Sequence, residues 1–440
     1  MKKTSTCLVI LLIFLTANAQ QPILPPSIKT PADIIDDFMD QRFGMFIHWG
    51  PVTLRGTEIG WSRGNDVPVE VYDNLYKDFN PVLFNADDWV KTAKDAGMRY
   101  LTFTAKHHDG FCLWPTEFSE YNIMNSPFKR DIVGELAEAC EKYEIKFCVY
   151  FTVLDWHDPH YPIAVPGAND MKATADMNKF VITMKNQLTE IVTRYKPYML
   201  WFDGNWESPW KDEYAVDIYT YLKRLDPNVI INNRLSYYSA DDHSKLSPEI
   251  IGDYATPEQT IGELNMDFPW ETCMTICNQW AWKPNDNMKS LKQCIQTLAR
   301  TAGGNGNLLF NVGPMLDGRI EQRQIERLKE MGDWLDNYGE SIYATKGGPF
   351  AATDNYATTR KGNKIFIHTF IPSATITLPS LPGATIQKAY VLKGAAIHFH
   401  QDTKHITLHL PAQLPDANDT VIALELDIDA ELIPILTQND

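Results

Sequence analysis

The stretch YMLWFDGNW, from Tyr198 to Trp206, runs as an apolar strand into an aspartate and a glycine, with a tryptophan on each side of that tip. A strand that is apolar at both odd and even positions is buried on both faces, as in a parallel sheet covered by helices. The same texture recurs in GMFIHWG (Gly44 to Gly50), RYLTFTAKHHDG (Arg99 to Gly110), KFCVYFTVLDW (Lys146 to Trp156), NVIINNR (Asn228 to Arg234), EIIGDY (Glu249 to Tyr254) and GNLLFNVGP (Gly306 to Pro314). Helical patterns such as NADDWVKTAKDAG, DIVGELAEACEKYE, MNKFVITMKNQLTEIVTRY and NMKSLKQCIQTLARTAG lie between them. Alternation of strand and helix predicts parallel strands, and roughly eight such repeats close a barrel. No G-x-G-x-x-G follows the first strand, which disfavours an open doubly wound sheet.

After EQRQIERLKEMGDWLDNYGESIY (Glu321 to Tyr343) the texture changes to short alternating segments split by Gly and Pro: KIFIHTF, ATITLP, QKAYVLKG, HITLHLP and TVIALELD. That is the signature of an antiparallel sandwich. The start of the chain, MKKTSTCLVILLIFLTANAQ, has two lysines, an apolar run from Cys7 to Leu15 and the small-residue site Ala17-Asn18-Ala19. This reads as a signal peptide, because the run is well short of the roughly 20 residues that span a bilayer. The expected organisation is therefore a signal peptide at 1–19, a (β/α)8-like, TIM-type barrel at 20–345 and a C-terminal antiparallel β-sandwich at 346–440. The expected location is outside the cytoplasm, periplasmic or secreted, with the mature chain starting near Gln20.

The net charge of −16 over 440 residues, with no basic block, argues against a nucleic-acid or anionic-membrane partner. Six cysteines remain beyond Cys7, most within apolar runs, and read as buried thiols, with Cys273 and Cys277 the one pair considered for a disulfide.

In a parallel barrel the C-terminal ends of the strands form the active face. Those ends offer His48, His107, His108, Tyr150, Asp155, Trp156, Trp201, Asp203, Arg234, Asp253 and, just beyond, Glu258. Of twelve tryptophans, ten lie at or near a strand end or its following loop, whereas Trp89 and Trp334 sit on helical faces. Aromatic bodies with polar handles around one mouth suit a sugar, which has apolar faces and many hydroxyls. Carboxylates among them suggest glycoside hydrolysis, in which one carboxylate attacks the anomeric carbon and another protonates the leaving oxygen. Asp203 is the natural nucleophile, with Gly204 leaving room for the substrate. Glu258, Asp253 and Glu271 compete for the acid, whose carboxyl should be raised by burial among aromatics. Adjacent residues on a strand point to opposite faces, so His107 and His108 make a poor ligand pair for one ion. Neither a metal nor another cofactor is expected, and both histidines read as neutral partners of sugar hydroxyls.

With these residues in hand, the chain resembles the α-L-fucosidases of glycoside hydrolase family 29. RFGMFIHWG, KHHDGFCLW, LWFDG, WETCMTI and GGNGNLLFNVGPMLDG occur in the family's order between Arg42 and Gly318. The resemblance implies a retaining exo-α-L-fucosidase that forms a covalent fucosyl-enzyme intermediate, uses no metal and acts on a fucosylated oligosaccharide or glycoconjugate. It implies Asp203 as nucleophile and Glu258, five residues after Asp253, as acid/base, with Asp253 and then Glu271 as runners-up. It further implies substrate contacts at His48, Glu58, Trp61, His107, His108, Tyr150, Trp201, Arg234 and Trp280. The family's SWGY stands here as QWAW, Gln279 to Trp282. The alternative is a carbohydrate-binding protein of the same fold that has lost catalysis.

Overall fold

The computed structural model describes residues 28–237, 244, 246, 250–371, 373–411 and 413–436. The proposed signal peptide lies outside these residues. Seven parallel strands, β1 (Phe43–Ile47), β2 (Tyr100–Lys106), β3 (Lys146–Thr152), β4 (Met199–Asp203), β5 (Ile230–Ile231), β6 (Glu271–Thr275) and β7 (Asn307–Val312), lie in the order β5-β4-β3-β2-β1-β7-β6. The gap between β5 and β6 is filled by residues 254–258, which bridge Asn232 through Tyr254, Trp270 through Ala255 and Cys273 through Glu258. That segment occupies the eighth position and closes the ring.

Two layers of apolar packing follow from the alternation of side chains along each strand. Inward residues Phe46, Tyr100, Cys148, Tyr150, Met199, Trp201, Ile230, Tyr254, Cys273 and Leu309 fill the barrel, joined by Phe38 and Met39 of the helix Ala32–Gln41. Outward residues such as Met45, Leu101, Val149, Leu200 and Leu308 pack against the covering helices. Four of these helices, Ala86–Asp95, Ile132–Tyr143, Met177–Tyr195 and Leu291–Gly303, begin at Asn85, Asp131, Asp176 and Ser290, whose side chains accept a first-turn N–H.

One strand differs from expectation. EIIGDY contributes only the bridge at Tyr254 among its described residues, while the neighbouring regular strand is ETCMT, Glu271–Thr275. Its two threonines and its glutamate hide the apolar run that marks the other barrel strands. The glutamate is tolerated because it finds hydrogen-bond donors inside the barrel.

The C-terminal part is antiparallel throughout. A five-stranded sheet has the order β12 (Ile386–Val391), β15 (Thr420–Leu426), β10 (Lys364–Thr369), β9 (Tyr356–Lys361), β8 (Lys346–Gly347). A three-stranded sheet has the order β11 (Thr375–Pro379), β14 (His405–His409), β13 (His398–Gln401). Ile365, Ile367, Leu378, Ile406, Leu408, Ile422 and Leu424 form the core between them. This unit packs on the barrel helix Leu291–Gly303 through Ala299, Ala357 and Phe370. All six cysteines among the described residues are free and buried, so Cys273 and Cys277 are not paired. No helix among those residues is long and apolar enough to cross a membrane.

Candidate active site

At the C-terminal ends of the strands a cavity of about 680 Å³ opens, and the described residues that line it all belong to the barrel. Asp203 ends β4 at the bottom of this cavity. The next residue, Gly204, has φ 94°, and a Cβ there would fall 2.7 Å from Leu154 Cγ. Glycine is therefore required by the turn and by the packing of Leu154, not to make room for a substrate.

Asp203 is held by both oxygens. Arg234 Nη1 donates to Oδ1 at 2.9 Å, Tyr150 Oη donates to Oδ2 at 3.0 Å, and His108 Nε2 stands 3.5 Å from Oδ2. Burial alone would raise its pKa, but Arg234 and His108 outweigh that and hold the carboxyl well below the usual range. Asp203 is therefore an anion at neutral pH. The same Arg234 Nη1 lies 2.9 Å from Glu258 Oε2. The two carboxylate oxygens are thus no further apart than two 2.9 Å contacts laid end to end, which fits the 5–5.5 Å or so of a retaining glycosidase. Arg234 is itself fixed by Thr256, which accepts from Nε at 3.0 Å and from Nη2 at 3.1 Å, and its guanidinium lies 4.6 Å from the Trp201 ring centre.

The three candidates for the acid separate cleanly. Glu258 lines the cavity with its side chain 38% exposed. It is presented by Gln259, a non-glycine residue at φ 51° whose side-chain amide is tied to Thr275 through Oγ1 and the backbone N–H. Asp253 faces outward, where Tyr219 Oη at 2.6 Å and Lys223 Nζ at 3.2 Å, both on the covering helix Asp212–Leu225, bind its carboxylate. It is absent from the cavity. Glu271 points inward but lies below the cavity floor, bound by Tyr100 Oη and Trp201 Nε1. The raised carboxyl expected of the acid is found at Glu271, pushed to about 7 by burial, whereas Glu258 is half-exposed at the rim. Position must come before pKa in assigning an acid, because a carboxyl that cannot reach the leaving oxygen cannot protonate it.

Of the histidines expected to meet sugar hydroxyls, His48 and His107 line the cavity and His108 does not. His48, His107 and Tyr150 share the cavity wall, with the His107 ring stacked on Tyr150 at 5.3 Å and 4°. Asn311 Nδ2 donates to the Trp280 carbonyl, so its Oδ1 is left to accept from His48 Nδ1 at 2.7 Å. That bond places the His48 proton on Nδ1 and leaves Nε2 as an acceptor. Burial pulls His48 down to about 3 and His107 well below its ordinary value, so both are neutral. His108 is seated by Thr152 Oγ1, 2.7 Å from Nδ1. Asn311 and Thr152 were missed in the sequence. Each is a polar residue at or near the end of an apolar strand, the pattern that singled out Asp203.

Glu58 lines the cavity, but it also accepts the backbone N–H groups of Trp280 and Ala281, each at 2.9 Å. It fastens the Trp280 loop across the site. Trp61 is 41% exposed and stacks on Trp206 at 5.8 Å and 16°. Of the ten tryptophans expected near the mouth, only Trp61, Trp201, Trp206 and Trp280 line the cavity. Trp49, Trp114 and Trp210 are fully buried, Trp49 among Phe79, Phe84 and Trp89. Asp155 also turns away from the cavity, to a buried pair with Lys106 at 2.7 Å.

Comparison with known proteins agrees with this geometry. The family model described as Alpha-L-fucosidase matches residues 15–340. A putative alpha-L-fucosidase of Caenorhabditis elegans is 32% identical over 335 residues, covering 70% of this chain and 66% of the relative. The tissue alpha-L-fucosidase of Bos taurus is 32% identical over 336 residues, covering 70% and 69%. Among solved structures, alpha-L-fucosidase isoenzyme 1 from Paenibacillus thiaminolyticus superposes with a TM-score of 0.80 at 33% identity, covering 90% of this chain and 99% of that one. An alpha-L-fucosidase of family 29 from Bacteroides thetaiotaomicron, solved as a trapped covalent intermediate in complex with 2-fluoro-fucosyl fluoride, gives 0.82 at 29% identity, covering 90% and 97%. A barrel with two carboxylates on one arginine, ringed by neutral histidines and tryptophans, and these likenesses over most of its length lead to one conclusion: the chain belongs to the alpha-L-fucosidases of glycoside hydrolase family 29.

Proposed function

We propose that this protein is a retaining exo-α-L-fucosidase that removes terminal α-L-fucose from glycans. The observation that carries the reading is Arg234 Nη1, 2.9 Å from both Asp203 and Glu258. In the first step an Asp203 oxygen attacks the anomeric carbon, the bond from that carbon to the leaving oxygen breaks, and its electron pair takes up the Glu258 proton. In the second, Glu258 as carboxylate removes a proton from water, the water oxygen bonds to the anomeric carbon, and Asp203 leaves as carboxylate. Arg234 and Tyr150 keep Asp203 ionised and aimed, at no cost in reorganisation during the step.

Neutral His48 and His107 read the sugar hydroxyls. A hydroxyl of the wrong configuration leaves a buried ring nitrogen unpaired, at about 1–3 kcal/mol, whereas burying the single fucose methyl contributes about 0.8 kcal/mol. Selection thus rests on the hydroxyls. Glu258 at the half-exposed rim has access both to a leaving glycan and to water. The N-terminal 19 residues act as an export signal in this reading, and the mass of the secreted or periplasmic chain should correspond to a start near Gln20.

The test is incubation with 2-fluoro-fucosyl fluoride followed by peptide mapping. A fucosyl adduct on the peptide containing Asp203, together with release of α-L-fucose as the first product from an aryl α-L-fucoside, is the expected result. Release of the β anomer first, or an adduct elsewhere, would overturn it.

A further inference from the structure

Below the cavity floor lies a carboxylate that this chemistry does not use. Glu271 opens β6, points into the barrel and is fully buried. Tyr100 Oη donates to its Oε2 at 2.5 Å and Trp201 Nε1 to its Oε1 at 3.0 Å, while Tyr254 Oη stands 3.5 Å from Oε1. A charge in an apolar barrel is costly unless it is hydrogen-bonded, and a residue that merely filled this space would be Leu or Met. These neighbours give each carboxyl oxygen a donor, Tyr100 Oη for Oε2 and Trp201 Nε1 for Oε1, so the group is seated by specific partners and not by apolar packing.

What Glu271 holds leads directly to the reacting groups. The Trp201 ring stacks on Tyr150 at 5.6 Å and 17° and lies 4.6 Å from the Arg234 guanidinium. Tyr150 and Arg234 both donate to Asp203, and Arg234 also holds Glu258. An indole has a single N–H, so one acceptor sets the in-plane orientation of the ring.

We propose that Glu271 is a positioning residue: its carboxyl group fixes the Trp201 indole, and through that ring the Tyr150 and Arg234 contacts that aim Asp203 and Glu258. This rests on the fucosidase reading and adds a residue that never touches the sugar. A role in folding alone would change stability and leave turnover per folded molecule intact.

The test compares wild type, E271Q, W201F and the double variant on an aryl α-L-fucoside, with rates scaled to folded protein by circular dichroism. The expected result for E271Q is a fall in kcat of about 10²-fold, the scale of an ångström-sized misplacement. KM should stay within about twofold, because His48 and His107 are untouched. The double variant should be no slower than the slower single one, since both changes act on one contact: W201F removes the N–H, and E271Q leaves a single acceptor oxygen for the two donors Tyr100 and Trp201. An unchanged kcat in folded E271Q, or effects that multiply in the double variant, would overturn the proposal. If E271Q does not fold, W201F decides: full kcat overturns the proposal, and a lowered kcat at constant KM supports it. Inactivity of the wild type on every aryl fucoside would overturn the fucosidase reading and this inference with it, whereas an active wild type with an equally active E271Q overturns only the inference.

Discussion

Asp253 and Glu258 are five residues apart, and exchanging each in turn separates a structural carboxylate from a chemical one. The Asp253 carboxylate accepts from Tyr219 Oη at 2.6 Å, Thr30 Oγ1 at 2.7 Å, Ile231 N at 2.8 Å and Lys223 Nζ at 3.2 Å, and its side chain is 2% exposed. In Asp253→Asn an amide NH2 faces donors, and Lys223, itself 3% exposed, loses its anion. Breaking a buried pair from one side costs about 3–5 kcal/mol. With an unfolding entropy of about 2.1 cal/mol/K per residue over 440 residues, this lowers Tm by about 3–5 °C. The fucosidase rate should stay within about threefold of wild type, and azide should not change it, because no reacting group is lost. Glu258→Ala should show the reverse pattern. Its half-exposed side chain contributes little to folding, so Tm moves by about a degree or less, while turnover falls about 10²- to 10⁴-fold. Azide then displaces Asp203 from the intermediate and yields α-L-fucosyl azide, the anomer of the substrate, since two inversions have occurred. Calorimetry and product analysis by NMR read both effects. An Asp253→Asn variant that keeps its Tm, loses activity and is rescued by azide would refute the reasoning.

Other outcomes follow from the same geometry. Asp203→Gly should lose at least about 10⁴-fold in turnover, and azide in its place should give the β-fucosyl azide from an activated fucosyl donor; the α anomer would exclude Asp203 as nucleophile. The Glu271 carboxyl, at 4.5 in the unfolded chain and pushed to about 7 in the folded one, makes folding proton-linked. Its contribution is fully present below about 4.5 and is lost as pH rises through about 7, amounting to about 3 kcal/mol at 1.36 kcal/mol per pH unit. The Tm of wild type relative to E271Q should therefore be about 3–4 °C higher at pH 4.5 than at pH 8, and a difference that does not vary with pH would refute the assignment. Activity should survive EDTA; a loss that a divalent cation restores would show that the histidines hold a metal and not the sugar.

The barrel was legible because strands buried on both faces carry apolar residues at odd and even positions alike, and β1 to β4 and β7 are largely apolar on both faces. ETCMT was not, because three of its five residues are polar: Glu271 is satisfied from within the barrel by partners far away in the chain, Tyr100 and Trp201, and Thr272 and Thr275 by Thr260 and Gln259. The tryptophans mislead for a related reason: a position near a strand end does not say whether a ring turns toward the mouth or, as with Trp49, into the layer behind it.

From the order of its residues alone the chain specifies a helix-covered parallel barrel, places Asp203 at the tip of a buried strand, and supplies the histidines and tryptophans of a sugar site, since periodicity and strand ends are local properties. The choice among Glu258, Asp253 and Glu271 belongs to the tertiary structure. All three follow or begin short strand segments, and they differ only in direction and depth: Asp253 turns out to Lys223, Glu271 turns in below the floor, and Glu258 alone meets Arg234 beside Asp203. Direction and depth are set when the segment 254–258 closes the ring between β5 and β6, a contact between parts of the chain that no local pattern encodes.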